Sequence, residues 1–260
     1  MKKLLAIFLA AIAAASMCFS LTACGSDNSS DWDYIKNKGE MIVGYTVYDP
    51  FGYTDESGNV VGFDVELAQA VASKLGITAK FQIIEWSAKV TEINAKNIDV
   101  IWNAMTITDT LKTSIDISDA YCRNNQTVVV KSGNESAYAT KELIKNSGKN
   151  IILESGSSAQ LAVESDETLK TVGLTPADSQ LKALQEVAAG TSDIAVVDVL
   201  IYDSLKKKSE SIVNTGSLVK VEGITFPAEE FGIGFRKGSD FKAKVENAIK
   251  ELKQDGTYAE

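Results

Sequence analysis

Asp198 is placed where a side chain could do chemistry, because it ends the apolar run 193–198 (DIAVVD). Such a run is typical of a buried strand, and a carboxylate at the end of a buried strand needs a charged or hydrogen-bonding partner. In a cleft, that partner would be water or the amine of a bound molecule. The competing interpretation is structural, with Asp198 capping a helix that begins within residues 200–208 (LIYDSLKKK).

The turn Gly156-Ser157-Ser158 is a second candidate site, because it opens a helical segment. The first N–H groups of a helix have no partner inside the helix, and together with the helix dipole they favour an anion such as a carboxylate. Ser157 would also serve as an ordinary N-cap. The two roles are compatible.

The residue types that are missing exclude several kinds of chemistry. None of the 260 residues is histidine, which excludes serine–histidine triads, cysteine–histidine dyads and histidine-bound zinc. Carboxylate or lysine chemistry stays open, with Glu85 and Glu154 as possible acids, but nothing places either against a leaving group. The net charge of −9 disfavours nucleic acid as a partner. An enzyme is therefore disfavoured but not excluded, and we expect no catalytic residues, cofactor or metal.

The N-terminus predicts export and a lipid anchor. Lys2 and Lys3 precede a short apolar run over residues 4–19, as in a signal peptide, and residues 21–25 (LTACG) resemble the bacterial lipobox. We predict a signal peptide over 1–23, an acylated (palmitate-bearing) Cys24, and a polar, flexible tether over 24–36. The alternative is a buried hydrophobic helix. Because Cys18 would leave with the signal, only Cys122 would remain, and no internal disulfide is possible.

Apolar spacing predicts alternating strands and helices. Strands are expected at 41–47, 77–85, 98–105, 149–155 and 193–199, and helices at 62–76, 87–97, 157–165, 178–190 and 240–253. Residues 126–132 and 223–231 are expected to be extended segments that join two lobes. In the first helix Phe63, Leu67, Val71 and Leu75 form one face, Asp64 is a candidate cap, and Gly76 is a candidate end. In the last helix the stripe is Phe241, Val245, Ile249 and Leu252.

The order of these elements predicts an α/β fold of two lobes, each with a helix-flanked, mostly parallel sheet. We place lobe 1 at 37–125 plus 224–260 and lobe 2 at 126–223, joined by two extended hinge segments. A cleft between them would hold a small molecule. The turns before Asp99 and Asp193 look like counterparts, which suggests duplication or only the general similarity of helix-to-strand turns.

Five stretches, in order, resemble the polar amino-acid-binding proteins of ATP-driven (ABC) importers, the type II solute-binding proteins of family 3. They are residues 62–76, 98–108, 117–131, 188–199 and 231–241, and the resemblance covers residues 42–258. It implies a periplasmic-binding-protein type II fold whose two lobes close around one amino acid.

The resemblance also implies ligand-binding residues. Tyr48 and Trp86 would sandwich the ligand side chain, although both could be ordinary core aromatics. Asn103, Ala104 and Thr106 match a loop that binds the ligand ammonium and carboxylate. Asp198 matches the ammonium-binding carboxylate. The Ser157–Ser158 turn would bind the ligand carboxylate.

Leu111 departs from the family pattern. It occupies the position of the family's arginine that clamps the ligand carboxylate, and an apolar side chain cannot replace a guanidinium group there. Either another cation substitutes, with Lys112 and Arg123 the nearest, or the ligand lacks an ordinary α-carboxylate.

The resemblance implies an extracytoplasmic lipoprotein that captures an amino acid, or a close amine-bearing analogue, and delivers it to an ABC permease. We expect a monomer, lipid-anchored on the outer face of the cytoplasmic membrane. The alternatives are an enzyme of the same fold, such as a dehydratase, and a sensory lipoprotein.

Overall fold

The computed structural model describes residues 30–207 and 217–259. In chain order its strands are β1 (Glu40–Tyr45), β2 (Tyr53–Thr54), β3 (Val60–Val61), β4 (Thr78–Ile83), β5 (Val100–Thr106), β6 (Asp116–Ile117), β7 (Cys122–Asn124), β8 (Gln126–Lys131), β9 (Ile151–Glu154), β10 (Leu174–Ala177), β11 (Ile194–Asp198), β12 (Leu218–Lys220) and β13 (Glu229–Phe235). The helices are α1 (Asp31–Lys38), α2 (Phe63–Lys74), α3 (Lys89–Asn94), α4 (Asp109–Ser114), α5 (Lys141–Asn146), α6 (Ser158–Ser165), α7 (Gln180–Ala189), α8 (Val199–Lys207) and α9 (Phe241–Asp255).

The strands form two large sheets and the small hairpin of β2 and β3. Sheet 1 has the order β4-β1-β5-β13-β6, with β7 also paired to β13, and sheet 2 has the order β10-β9-β11-β8-β12. We call the part that holds sheet 1 lobe 1 and the part that holds sheet 2 lobe 2. The predicted α/β class is confirmed.

Both sheets are mixed rather than mostly parallel. In sheet 1, β1 runs parallel to β4 and β5, while β13 runs antiparallel to its three neighbours. In sheet 2, β9 runs parallel to β10 and β11, while β8 runs antiparallel to β11 and β12. Parallel neighbours need a long crossover between them. Strands β8 and β13 enter their sheets directly from the other lobe. They need no crossover helix before pairing, so an antiparallel arrangement is open to them.

Helices α2 and α9 cover one face of sheet 1. Leu67 and Val71 of α2 lie in one buried cluster with the stripe of α9, which confirms the predicted stripe of the last helix. Phe63 is the exception in α2, since it is 38% exposed at the first turn. Gly76 follows the end of α2 with a φ of +71°, a left-handed conformation that glycine adopts without steric cost.

Sheet 2 is buried on both faces, as its apolar strands predict. Every residue of β9 and β11 is buried. Ala183, Leu184 and Val187 of α7 pack on one face, and Ala159 and Val163 of α6 pack on the other.

The predicted tether of residues 24–36 ends earlier than predicted, because residues 31–36 belong to α1. Ser30 caps this helix by accepting a hydrogen bond from the N–H of Asp33, and Ile35 is fully buried. Asp31 accepts from Nε of Arg236 at 2.7 Å. A capped helix with a buried face and an ion pair is held on lobe 1. The predicted signal peptide and the lipidated Cys24 lie outside the described residues.

The chain passes between the lobes twice, at Asn125 and over residues 221–228. The predicted joining segments are wrong in extent, because residues 126–131 form β8 and residues 229–235 form β13. The predicted lobe limits stay a prediction. Cys122 is a free thiol. Within 30–207 and 217–259, no helix has the length and apolar character needed to cross a membrane.

Candidate functional site

A small cavity lies between the lobes, at the carboxyl ends of β5, β9 and β11. Its volume is about 20 Å³, enough for one water molecule. It is lined by Tyr48, Trp86, Asn103, Ala104, Thr106, Glu154, Ser157, Ser158, Gln180 and Asp198. We call it the inner cavity. It brings together eight of the nine residues predicted to bind a ligand, and their roles stay predictions.

Leu111, the ninth predicted residue, lines a neighbouring cavity of about 250 Å³. This side cavity shares Trp86, Thr106, Ser157 and Ser158 with the inner cavity, so the two adjoin. Leu111 lies in the first turns of α4 and is partly buried. An apolar side chain therefore occupies this part of the wall.

Lys112 and Arg123, the two predicted substitutes for the missing arginine, line neither of these cavities. They line a wider outer opening of about 770 Å³. Lys112 pairs with Asp109 at 3.2 Å, and Arg123 pairs with Glu230 at 3.2 Å. The side chains of both cations are more than half exposed. Neither cation contributes its charge to the inner cavity wall.

Tyr48 and Trp86 each follow a strand and lie in the cavity wall. Tyr48 comes after β1, and its ring lies 5.1 Å from that of Phe51. Burial, and then the negative charge of Asp198, raise the pKa of Tyr48. Trp86 begins the short 3-10 helix Trp86–Ala88 and packs in the cluster that holds Met105. Each ring thus packs in a buried cluster and also lies in the cavity wall, and the predicted sandwich of a ligand side chain stays a prediction.

Lys89 is a buried cation that the sequence did not single out. Its Nζ donates to the carbonyl oxygens of Trp86 at 3.1 Å and Gly156 at 2.9 Å, and lies 4.7 Å from the centroid of the Trp86 ring. Burial lowers its pKa to about 8, while the charge of Glu154 acts in the opposite direction. Lys89 lies in the wall of the side cavity.

Asp64 does not cap α2, so that prediction is wrong. Gly62 is the N-cap, and Asp64 turns into the core, where it accepts from the N–H of Ala104 at 2.7 Å and the hydroxyl of Tyr121 at 2.8 Å. Ala104 has a φ of +49°, which is unusual for a residue with a Cβ. The buried carboxylate holds this bend, and the Ala104 amide is therefore already bonded. Burial raises the pKa of Asp64 to about 7.

Asn103 and Thr106 flank this bend with different hydrogen bonds. Asn103 donates from Nδ2 to Oγ1 of Thr46 at 2.9 Å, which leaves its Oδ1 buried without a partner. Thr106 donates from Oγ1 to Oε2 of Glu229 at 2.8 Å. Its Oδ1 is an acceptor that lies beside Gly52, where an added Cβ would approach it to 3.3 Å.

Ser157 is the N-cap of α6, as predicted, and accepts from the N–H of Gln160. Ser158 is the first residue of the helix, and its Oγ accepts from Nε2 of Gln126 at 3.0 Å. Both serines line the inner cavity. The anion-binding role of this turn stays a prediction.

Asp198 accepts hydrogen bonds from three amide side chains. It accepts from Nε2 of Gln180 at 2.5 Å, from Nδ2 of Asn124 at 2.6 Å and from Nε2 of Gln126, and its own N–H donates to Oε1 of Gln180. These amides are neutral, so its charge is not balanced. Burial, and then the charge of Glu229, raise the pKa of Asp198.

Glu154 is a second buried carboxyl of the inner cavity, and it ends β9 as Asp198 ends β11. Its Oε1 has no hydrogen-bond partner among the described residues. Burial, and then the charge of Asp198, raise the pKa of Glu154 to about 8, although Lys89 opposes the shift.

Sequence reasoning missed the amides and Glu229 around Asp198, and it named Glu154 only as a possible acid of an enzyme. Glu154 carried a usable signal, since a carboxylate ending an apolar strand is the same pattern as Asp198. Asn124, Gln126 and Gln180 carried none, because they come from elements far apart in the chain. Within the described part of the chain, no group of three or more possible metal ligands is present.

A family model, the bacterial extracellular solute-binding proteins, family 3, matches residues 41–260. The L-cystine-binding protein TcyJ of Escherichia coli (strain K12) is 31% identical over 225 residues, which is 86% of this chain and 81% of TcyJ. The arginine-binding extracellular protein ArtP of Bacillus subtilis (strain 168) is 31% identical over 257 residues, covering 96% of this chain and 93% of ArtP.

A solved structure of an ancestral arginine-binding protein bound to arginine superposes with a TM-score of 0.76 at 33% identity, covering 85% of this chain and 95% of that one. The predicted fold class and the family resemblance are thereby confirmed. These relatives are named as binding proteins, which also confirms the prediction that the chain is not an enzyme. From its fold and its similarity along nearly its whole described length, the chain belongs to the bacterial extracellular solute-binding proteins, family 3.

Proposed function

We propose that this chain is an extracytoplasmic solute-binding lipoprotein that captures an amino acid, or a close amine-bearing analogue, and delivers it to an ABC importer. The ligand would occupy the inner cavity and extend into the side cavity. Asp198 and the bend at Asn103–Thr106 would bind its amine. Cys24 would carry the lipid that keeps the protein at the outer face of the membrane.

The observation that supports this proposal most is the unfilled hydrogen-bonding capacity of the inner cavity. Oδ1 of Asn103 and Oε1 of Glu154 are buried acceptors without a partner, and both residues line it. A buried acceptor left unpaired costs about 1–3 kcal/mol. A bound molecule that donates to both oxygens would remove this cost. The named ligands of the relatives, arginine and cystine, both carry amines.

Contacts between the lobes support a mechanism of opening and closing. Besides the bond from Lys89 to Gly156, Oγ of Ser204 in lobe 2 donates to Oδ1 of Asp49 in lobe 1 at 2.7 Å. The inner cavity has no room for an amino acid in this closed arrangement. A ligand would enter an open form, and its contacts with both lobes would then favour closure.

Binding is tested by unfolding and refolding the purified protein to remove any retained ligand, then measuring melting temperature with each common amino acid and a set of amines. A compound at 100 times its Kd stabilises the folded state by about 2.7 kcal/mol. We expect at least one compound to raise Tm by several degrees. The exposed substitution Glu142→Gln serves as control, and Asp198→Asn should lose the shift. No shift with any amino acid or amine would overturn the proposal.

The anchor is tested separately in cells of the source organism. Metabolic labelling with an alkyne-bearing palmitate should label the wild-type chain and leave Cys24→Ala unlabelled. Cys122→Ala is the matched control and should be labelled as the wild type is. Labelling of Cys24→Ala would contradict the proposed anchor without touching the binding proposal.

A further inference from the structure

Lys89 provides the positive charge in the walls of the inner and side cavities, since no other lysine or arginine among the described residues lines either of them. The residue is only 6% exposed. Its Nζ donates to two neutral carbonyl oxygens, those of Trp86 and Gly156, and forms no ion pair with a carboxylate in the described part of the chain. An ammonium has three N–H donors, so one of them is left for a further acceptor. An anion in the side cavity would also relieve the cost of burying an unpaired cation.

The nearby carboxyl groups do not neutralise this cation at neutral pH. The charge of Glu154 acts on Lys89, but burial, and then the charge of Asp198, raise the pKa of Glu154 to about 8, so most of this group holds its proton at pH 7. Burial lowers the pKa of Lys89 to about 8, so most of the lysine is still charged at pH 7. Glu164 also lines the side cavity, but it is exposed and accepts from Gln160 at 2.7 Å. The buried part of this wall is therefore positive.

The bond from Lys89 to Gly156 holds the ammonium beside the first turn of α6. Gly156 precedes the N-cap Ser157, and the N–H groups of Ser158 and Ala159 donate to no acceptor within 30–207 and 217–259. Both serines line the inner cavity and the side cavity. Unpaired amides at the start of a helix favour an anion. Two independent sources of positive potential, an ammonium and a helix N-terminus, therefore meet where the two cavities adjoin.

The unpaired atoms of the inner cavity are of both kinds. The hydroxyl of Tyr48 is a buried donor, and Oδ1 of Asn103 is a buried acceptor, and neither has a partner among the described residues. Asp198 lines the inner cavity and not the side cavity, whereas Lys89 lines the side cavity and not the inner one. Two adjoining spaces whose charges are opposite suit a molecule that carries an amine and a carboxylate a few atoms apart.

Resting on the function proposed above, we propose that Lys89 binds the carboxylate of the ligand, together with the amides that open α6. The carboxylate lies where the two cavities adjoin, at Ser157 and Ser158, and the amine lies at Asp198. Lys89 belongs to lobe 1 and the serines belong to lobe 2, so a carboxylate held by both favours closure. Lys89 is thus the residue that selects an α-amino acid over the amine that lacks the carboxylate.

Pairs of compounds that differ only by the α-carboxylate test this role. The full chain is refolded free of ligand and titrated by calorimetry with each common α-amino acid and with its decarboxylated counterpart, such as arginine with agmatine and lysine with cadaverine. We expect the tightest-binding amino acid to bind at least tenfold more tightly than its amine. Lys89→Met should lower this ratio at least tenfold. Lys112→Met, at an exposed lysine, is the matched control and should leave the ratio within twofold.

The ratio separates the carboxylate contact from the contact between the lobes. Loss of the bond to Gly156 weakens closure for both members of a pair, so its effect cancels in the ratio. Lys89→Gln, which is neutral but keeps a donor, should lower the ratio as Lys89→Met does, and either variant suffices if the other does not fold. If these neutral variants keep the wild-type ratio, or if the wild type binds the amine as tightly as the amino acid, the inference is wrong and the proposed function stands. If neither amino acids nor amines bind, both fail.

Discussion

The Nζ atom of Lys89 donates a hydrogen bond to the carbonyl oxygen of Gly156 at 2.9 Å, and this bond joins lobe 1 to lobe 2. The donor is a buried cation. Hydrogen bonds to charged groups contribute about 1.5–3 kcal/mol. Part of the stability of the closed arrangement therefore depends on one side chain outside the inner cavity.

Lys89→Met should favour the open form of the ligand-free protein. Methionine keeps most of the alkyl stem but cannot donate, so the Gly156 carbonyl loses its partner. We expect small-angle X-ray scattering to give a larger radius of gyration than for the wild type. Lys112→Met, an exposed change of the same kind, should leave the radius unchanged. Equal radii for Lys89→Met and the wild type would show that the bond does not bias the lobes.

Gly156→Ala should hinder closure sterically. A Cβ at position 156 would lie 2.9 Å from Cα of Ser87 in the opposite lobe, and the φ of +71° adds about 1–2 kcal/mol of strain for any other L-residue. We expect at least tenfold weaker binding of the compound that gives the largest melting shift. Gly148→Ala is the matched control, because Gly148 has a φ of +69° but open space around its Cβ position. An equal loss in both variants would assign the effect to strain alone.

The ligand-free protein should lose stability as the pH rises from about 5 to 8. The pKa of Glu154 is about 8 in the folded protein and 4.5 ordinarily, so in this window the unfolded chain releases a proton that the folded protein keeps. The free energy of unfolding then falls with pH, by at most about 1.4 kcal/mol per pH unit for one proton. Denaturant titrations at several pH values measure this slope.

Glu154→Gln should flatten that slope, because glutamine does not titrate. Asp198 acts in the same direction as Glu154, so some slope should remain. Lys89, whose pKa is lowered to about 8, acts in the opposite direction, but only above that pH. A slope in Glu154→Gln identical to that of the wild type would contradict the raised pKa.

Leu111→Arg should change which end of a ligand is recognised. A guanidinium in the wall of the side cavity would supply the bidentate donor that a carboxylate needs. We expect the ratio of arginine to agmatine affinity to rise at least tenfold. Leu143→Arg, at an exposed leucine of α5, is the control and should leave the ratio unchanged. An unchanged ratio in Leu111→Arg would show that this wall does not contact the ligand.

Arg236→Met should destabilise lobe 1, although Arg236 lines none of the three cavities described above. Arg236 pairs with Asp31 at 2.7 Å and with the fully buried Asp99 at 3.1 Å. Removing one partner of a buried ion pair costs about 3–5 kcal/mol, and Lys38, which still contacts Asp99, should keep the loss near the lower end. Lys237→Met, at an exposed neighbour, should cost less than about 1 kcal/mol. Urea unfolding distinguishes the two.

Local patterns in the sequence predict a helix or strand well where the spacing of its own apolar residues determines which face is buried. The stripe of Phe241, Val245, Ile249 and Leu252 is buried as predicted, and Gly76 ends α2. Asp64 shows where local reasoning fails. Its place in the first turn is typical of an acid at a helix N-terminus. Its carboxylate instead accepts the hydrogen bond of the Ala104 N–H, forty positions away in the chain.

The sequence predicts which residues line the site, but not which groups surround the charge of Asp198. The family pattern brought Asp198, Asn103 and the Ser157–Ser158 turn together, whereas the amides that bind Asp198 come from β7, β8 and α7. Spacing in the sequence does not reveal such partners, because two of the three lie more than 70 positions from Asp198. Similarly, the Asp99 and Asp193 turns look alike in sequence, yet Asp99 is fully buried against Arg236 and Asp193 pairs with Lys149 at 40% exposure.

The position of β13 in the middle of sheet 1 sets the order in which the two lobes are able to fold. Strand β13 lies between β5 and β6, although it follows them by more than 110 residues. Sheet 2 is encoded by one continuous stretch that ends at Lys220, so all its strands are available before β13 has been synthesised or delivered. Lobe 1 keeps the edge of β5 unpaired until β13 arrives, and an exposed strand edge invites pairing with other chains. Truncations that remove β13 should therefore promote aggregation through lobe 1 while lobe 2 still folds.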